Sequence, residues 1–399
     1  MLAVAACLAL IAVTTTWISG ELAGKAVRSR PRALSSPGVV TVSPDFPIRI
    51  PGGSPGGFAP PRVLAADPTR TGVWFWVTNG SLADKVYFYD LSTRVMSSWS
   101  FGPGINPLGG EGLAVAPDGI VWMAGETAIG HPDMLVRLDP STGAIESFQI
   151  PTPADAPVAE GYRPPGMRGY HQVKDLAVNA EGQVAIALGA AGSVVIFNST
   201  TKSFSQLALP GGYSVANVAY LSNGTLGVGM ADWRSGVGIM ESVLVKPPSA
   251  SPVIVSAPSF SIAADGSQFV SDGSLSYVSP SGQVSQVPGS TDLLSDIHIG
   301  PGGRIVGIGN GNGDPIIVTP SQGTQVRIAL GSYSCPGISS GWIVPTPGAK
   351  LPPTTTTTNN GPPMCQRSMV SSVVDPAGNI WYVANNPQYA IGLVQAGTY

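Results

Sequence analysis

The chain has 399 residues, with 51 glycines and 38 prolines, 43% hydrophobic and 11% charged residues, and a formal net charge of −3. So much apolar side chain with so little charge excludes a disordered chain, and the balance carries no electrostatic footprint for nucleic acid. Glycine and proline together reach about 22%, roughly double the usual share, which argues against a helical bundle and for an all-β chain of many short strands.

In chain order, the first element is the apolar run Leu2 to Ile18. It reads as the core of a signal peptide or as a short membrane anchor over residues 1–20, with a linker at 21–36. No basic residue precedes it, and Lys25, Arg28, Arg30 and Arg32 follow it. For an anchor, that polarity would keep the rest of the chain on the cytoplasmic side; a start upstream of Met1 removes the conflict. Val4-Ala5-Ala6-Cys7 has the look of a lipoprotein box, but the apolar run continues past the cysteine. Secretion or surface anchoring is the expectation, with membrane contact only through this segment.

Beyond residue 37 a unit recurs: a short apolar strand, a Pro-Asp-Gly-like turn, a second apolar strand often carrying Trp, and a third strand ending in a polar turn. A degenerate copy runs from Val63 to Val77, and the clearest from Gly112 to Gln149. Further copies begin at Asp175, Asn217, Ser259, Asp296 and Ser371. Gly119, Gly182, Gly224, Gly266, Gly303 and Gly378 mark six of the first turns, where a two-residue hairpin would need positive φ. A spacing near 40 residues is that of a four-stranded propeller blade. The predicted fold is one β-propeller of seven four-stranded blades over residues 37–399, with Pro/Gly-rich inserts at about 151–170 and 333–366. The last copy ends soon after its third strand, Ala390 to Val394, so Val39 to Ile48 is expected to supply its outer strand and close the ring.

The second insert carries Thr354 to Thr358 between Pro352-Pro353 and Pro362-Pro363, flanked by Cys335 and Cys365. Such a polar, proline-rich stretch cannot pack a core and reads as a surface loop. A disulfide between the two cysteines would close it, contributing about 3–4 kcal/mol on the chain-entropy model, and suits an oxidising compartment. Two free buried thiols are the alternative.

The clearest copy, with Pro-Asp-Gly, Val-Trp, Leu-Val-Arg-Leu-Asp-Pro-Ser-Thr-Gly and Ile-Glu-Ser-Phe-Gln-Ile-Pro-Thr-Pro, resembles a blade of the virginiamycin B lyase (streptogramin lyase) family, and Asp375 to Leu393 resembles the same pattern. The resemblance implies a seven-bladed propeller and, in the enzymes, magnesium-assisted elimination that opens a cyclic depsipeptide at its ester. That chemistry uses a histidine base in a Glu-x-His pair and carboxylates that hold the metal. This chain contains no Glu-x-His; Asp296-Ile297-His298 is its nearest approximation. Glu111-Gly112 and the acidic positions described next also resemble gluconolactonase-type propellers, implying a divalent metal held by Glu111, Asn217 and Asp296.

Seven residues before each turn glycine stand Gly112, Asp175, Asn217, Ser259, Asp296 and Ser371. This column starts the innermost strands and would line one mouth of a central channel. Carboxylates, amides and hydroxyls there are hard oxygen ligands suited to Mg²⁺ or Ca²⁺. Asp175, Asn217 and Asp296 are the candidate metal ligands, and Glu111, Asp175, Asn217, Asp296 and Ser371 the candidate binding mouth. A water-filled polar channel without a specific ligand is the plainer alternative. His171, just upstream of Lys174, is the candidate general base, and Glu126, which ends the Trp122 strand and would face the same mouth, the other catalytic candidate; His131 and His298 read as structural. Gly337 to Gly341 fits G-x-S-x-G without the strand and helix that expose such a serine. The expected function is a non-catalytic, monomeric binding propeller for a small molecule, peptide or surface partner, with a metal-dependent lyase or lactonase-like hydrolase as the enzymatic alternatives.

Overall fold

The computed structural model describes the strands and tight turns between residues 38 and 398; residues 1–37, 50–63, 152–172 and 331–367 are the longest stretches outside the described residues. The first sheet comprises Leu64–Ala66, Gly72–Trp76, Lys85–Asp90 and Val95–Ser100, and the second Leu108–Val115, Val121–Glu126, Asp133–Asp139 and Ala144–Gln149. The third holds Val173–Val178, Gln183–Leu188, Ser193–Asn198 and Ser203–Leu207, and the fourth Ser214–Tyr220, Leu226–Asp232, Ile239–Val245 and Val255–Ser256. Ser259–Ile262, Gln268–Ser271, Leu275–Val278 and Val284–Gln286 make the fifth. Leu294–Ile299, Ile305–Gly309, Pro315–Thr319 and Thr324–Leu330 belong to the sixth, and Ser368–Val374, Ile380–Asn385 and Ala390–Val394 to the seventh. Within each sheet, consecutive strands pair antiparallel; a single 3-10 turn at Pro301–Gly303 is the only other regular element among the described residues.

Two N-terminal strands complete this arrangement. Asp45–Arg49 pairs antiparallel with Ala390–Val394 and gives the seventh sheet its fourth strand. Gly38–Val42 does something the sequence expectation missed: it pairs parallel with Thr324–Leu330 and adds a fifth strand to the sixth sheet. The expected single outer strand over Val39 to Ile48 is therefore two strands on two sheets.

Why the sheets stack follows from the period of two along a strand. In Gly72–Trp76, Val73 and Phe75 pack with Trp381, Val383, Ile391 and Leu393 of the seventh sheet. The alternate residues Trp74 and Trp76 pack with Leu113, Val121, Met123 and Val136 of the second. Ala124 and Leu135 then meet Val184, Ile186 and Phe197 of the third, whose other face, Ala185, Ala187 and Val194, meets Val218, Leu226 and Val228 of the fourth. Similar clusters join the fifth to the sixth sheet and the sixth to the seventh. Each fully buried Trp, Phe or Leu contributes about 1.5–3 kcal/mol relative to exposure, so a strand apolar on both faces is worth most between two neighbours. First strands contact the first strands of adjacent sheets, and that of the seventh contacts that of the first.

At least three of the first-to-second-strand turns are three-residue loops rather than the expected two-residue hairpins. Ala116 N–H donates to the Ile120 carbonyl and Gly119 N–H to the Ala116 carbonyl, at 2.8 Å each. The pattern repeats at Asn179/Gly182/Gln183 and Asp375/Gly378/Asn379. This is a β-turn followed by a left-handed residue, and the φ values of +85° at Gly119 and +88° at Gly378 are what only glycine adopts freely. Two first-to-second-strand turns, of the first and seventh sheets, are tied to the strand that follows them. Asp67 accepts Trp74 Nε1–H at 3.0 Å and Asp375 accepts Trp381 Nε1–H at the same distance.

Candidate functional site

In an antiparallel meander, first-to-second and third-to-fourth turns lie at one end of a sheet, and the remaining connections at the other. The first end holds tight turns, among them 116–120, 179–182, 199–202 and 375–379; the second receives the segments 150–172 and 331–367. The column that begins the first strands belongs to this second end, as does Glu126, which ends its strand opposite Asp133. A functional mouth is expected where variable connections are carried on a rigid scaffold.

The first strands share a further feature there. Register slips between Leu108 and Gly112, Val173 and Asp175, Val215 and Asn217, Ser295 and His298, and Met369 and Ser371. Five of the six column positions thus lie at β-bulges, whereas Ser259 pairs in regular register with Ser271. A bulge interrupts the ladder and leaves a residue outside regular pairing, so a side chain able to hydrogen-bond backbone is favoured at it. Asp175 does this directly: Oδ1 accepts its neighbour's N–H, from Leu176, at 2.8 Å. Oδ2 accepts the Val218 N–H at 2.9 Å, across the seam from the fourth sheet. One carboxylate therefore staples two innermost strands, beside the second bulge.

At the equivalent place in the second sheet, Gly112 serves by having no side chain. A Cβ there would lie 2.9 Å from Leu176 Cβ and 3.2 Å from Val173 Cγ1, so glycine permits the third sheet's first strand to approach. Asn217 differs again. It is half-buried, and its buried Oδ1 has no hydrogen-bond partner among the described residues.

The remaining predicted residues divide as follows. Glu111, Asp296 and Ser371 lie on the first strands of the second, sixth and seventh sheets, and Glu126 on a second strand, but their side chains are outside the described residues. His171, His131, Cys335 and Cys365 are outside them altogether. Convergence of Asp175, Asn217 and Asp296 on one ion thus rests on strand placement. Among the described residues no three His, Cys, Asp or Glu side chains group as a metal site.

Sequence reasoning missed several groups at the same end. Asp133 is 1% exposed and faces Glu126 across the ladder. Ser193, 4% exposed, begins a third strand with its Oγ unpartnered among the described residues, and Trp76 ends a second strand with its Nε1 likewise unpartnered. Their only signal was position, at strand ends bordering the variable connections. Tyr220 lies at the opposite end of its strand. Burial first, and the negative charge of Glu181 second, push its hydroxyl upward, so it stays protonated at neutral pH and is no base.

No protein-family model matches the chain, and no curated protein matches it. Solved structures do. A streptogramin B lyase shares 13% identity at a TM-score of 0.52, over 87% of this chain and 96% of the other. A catalytically inactive virginiamycin B lyase from Staphylococcus aureus, with quinupristin, shares 12% at 0.54, over 84% and 94%. The WD40 repeats of RRP9 share 11% at 0.55, over 88% and 99%. The chain is a β-propeller. At such identities the likeness carries the fold alone, because propellers host unrelated activities. In this propeller, then, chemistry has to be argued from the mouth, where the one fully described carboxylate of the column bonds to backbone.

Proposed function

We propose that the seven sheets are seven blades of one closed ring, and that the protein is an exported, non-catalytic propeller of the streptogramin-lyase-like type. It binds a small molecule, peptide or surface partner at the mouth where the first strands begin. The observation that carries this is Asp175. Its two oxygens accept the N–H groups of Leu176 and Val218, so the column's best candidate for acid–base or metal chemistry is engaged in holding strands. The absence of any Glu-x-His from the sequence points the same way. Export rests on the apolar run Leu2 to Ile18, and a Cys335–Cys365 disulfide, which an oxidising compartment would permit, belongs to the same proposal.

A metal-dependent reading, as lyase or lactonase-like hydrolase, has one observation in its favour. A buried amide oxygen without a partner, Asn217 Oδ1, is a hard donor that Mg²⁺ or Ca²⁺ would satisfy. Incubation with a cyclic depsipeptide and with a sugar lactone, each with and without Mg²⁺ or Ca²⁺ and followed by mass spectrometry, separates the proposals. The binding propeller gives no product in any condition. Product formation that is lost in His171→Ala or Asn217→Ala would replace it with the enzymatic reading.

A further inference from the structure

We infer that residues 38–49 form a strap joining the sixth and seventh sheets independently of the covalent connection between them. Gly38–Val42 runs parallel to the outer strand of the sixth sheet in continuous register, from Gly38 opposite Val326 to Val42 opposite Leu330. After only Ser43 and Pro44, Asp45–Arg49 pairs with the seventh sheet, Asp45 opposite Leu393 and Arg49 opposite Ala390. The ladder bonds thus run from one short segment to two adjacent sheets.

The place where this happens is informative. Consecutive sheets elsewhere are linked by segments such as 208–213, 257–258 and 287–293, whereas the sixth leads to the seventh through 331–367, the longest connection in the chain. A long connection restrains its ends weakly, because closure entropy grows with its length. The strap supplies a short second link at that seam. It adds to the apolar contacts of Val306, Ile308 and Ile317 with Ile380, Tyr382 and Val394. Pro47 falls where the register slips between Asp45 and Ile48, on an outermost strand, where a missing N–H costs the ladder nothing and blocks a further strand from adding. The insert is therefore free of the duty of holding the ring together, and cutting it leaves the ring closed.

The test uses the full chain with a site-specific protease sequence placed between Thr356 and Thr357, with and without Val40→Pro plus Thr41→Pro. Adjacent residues of a strand direct their N–H groups to opposite sides, so the double change removes a ladder donor from the fifth strand whichever residue provides it. Cleavage is carried out under thiol reductant, so that a Cys335–Cys365 bridge cannot hold the pieces. With the strap intact, the cut protein should elute as one particle and lose less than about 5 °C in Tm. With the strap broken, cutting should separate the pieces or cost at least twice that. Separation of the pieces with the strap intact would overturn the inference. So would an equal loss with either strap, or failure of the uncut strap variant to fold. Hydrogen exchange at Thr324–Leu330 gives a second measure: protection persists after cutting only where the strap is intact.

Discussion

Asp175→Ala discriminates a strand staple from a metal ligand. The change removes acceptors for the Leu176 and Val218 N–H groups at 2.8 and 2.9 Å. A hydrogen bond to a charged group contributes about 1.5–3 kcal/mol net, and the half-buried setting of Asp175 admits some water to the freed donors. A loss of about 2–4 kcal/mol follows, or a fall in Tm of roughly 5–15 °C at about 2–4 °C per kcal/mol. Asp175→Asn keeps one acceptor oxygen and should lose about half as much. Scanning calorimetry in EDTA, and again with calcium or magnesium, measures both. The staple predicts the same difference from wild type in all three conditions. A variant that melts with wild type in EDTA, and falls behind only when metal is added, would refute it and make Asp175 a ligand.

Asp375→Ala should be among the most damaging single changes. It strands the N–H groups of Ala377 and Asn379, Asn379 Nδ2 and Trp381 Nε1 around a site 1% exposed, and the expected loss is about 3–6 kcal/mol in chemical denaturation. Trp381→Phe removes the indole donor and part of a fully buried ring but leaves the other three bonds to Asp375 in place, and should cost less. Gly112→Ala should destabilise by about 1–3 kcal/mol through contact with Leu176 and Val173, whereas Gly119→Ala meets no atom within 4 Å and should cost only the strain of its positive φ, about 1–2 kcal/mol. Asp67 should give an acid-labile contribution. Burial acts to raise its carboxyl, but bonds from Arg70, Trp74 and Thr69 outweigh it and hold the group below the ordinary aspartate value. A depressed folded pKa means stability present above the unfolded value, near pH 4, and lost as pH falls through the folded one. Wild-type Tm should therefore drop more steeply below pH 4 than that of Asp67→Asn, and parallel curves would contradict this.

The fold was legible because its signals are local and repeated. Glycines such as Gly119, Gly182 and Gly378 mark turns whose φ excludes most other residues, and strands such as Val73 to Trp76 are apolar at every position because both faces are covered. The parallel strand Gly38–Val42 was not legible. Nothing in Gly-Val-Val-Thr-Val distinguishes an antiparallel seventh-sheet strand from a parallel sixth-sheet one, because that choice is made by where the chain goes next. The column was visible as a run of polar residues, yet its cause was not. A bulge is a relation between two strands, and a single strand's sequence does not record the partner's register.

The two roles of the column are compatible only in part. Each carboxylate oxygen of Asp175 accepts a backbone N–H, so a cation approaching it would meet donors that two amides already polarise. Ligand binding there would trade against the staple between the third and fourth sheets. Asn217 carries no such conflict, because its Oδ1 bonds to nothing among the described residues while Val218 beside it is already held. If this mouth takes a metal or a polar ligand, the amide of Asn217 is the group with capacity to spare. Asn217→Ala should then abolish binding and leave Tm in EDTA nearly unchanged, the reverse of the outcome for Asp175→Ala. Equal effects of the two substitutions on binding and on stability would show that the column acts as one structural unit.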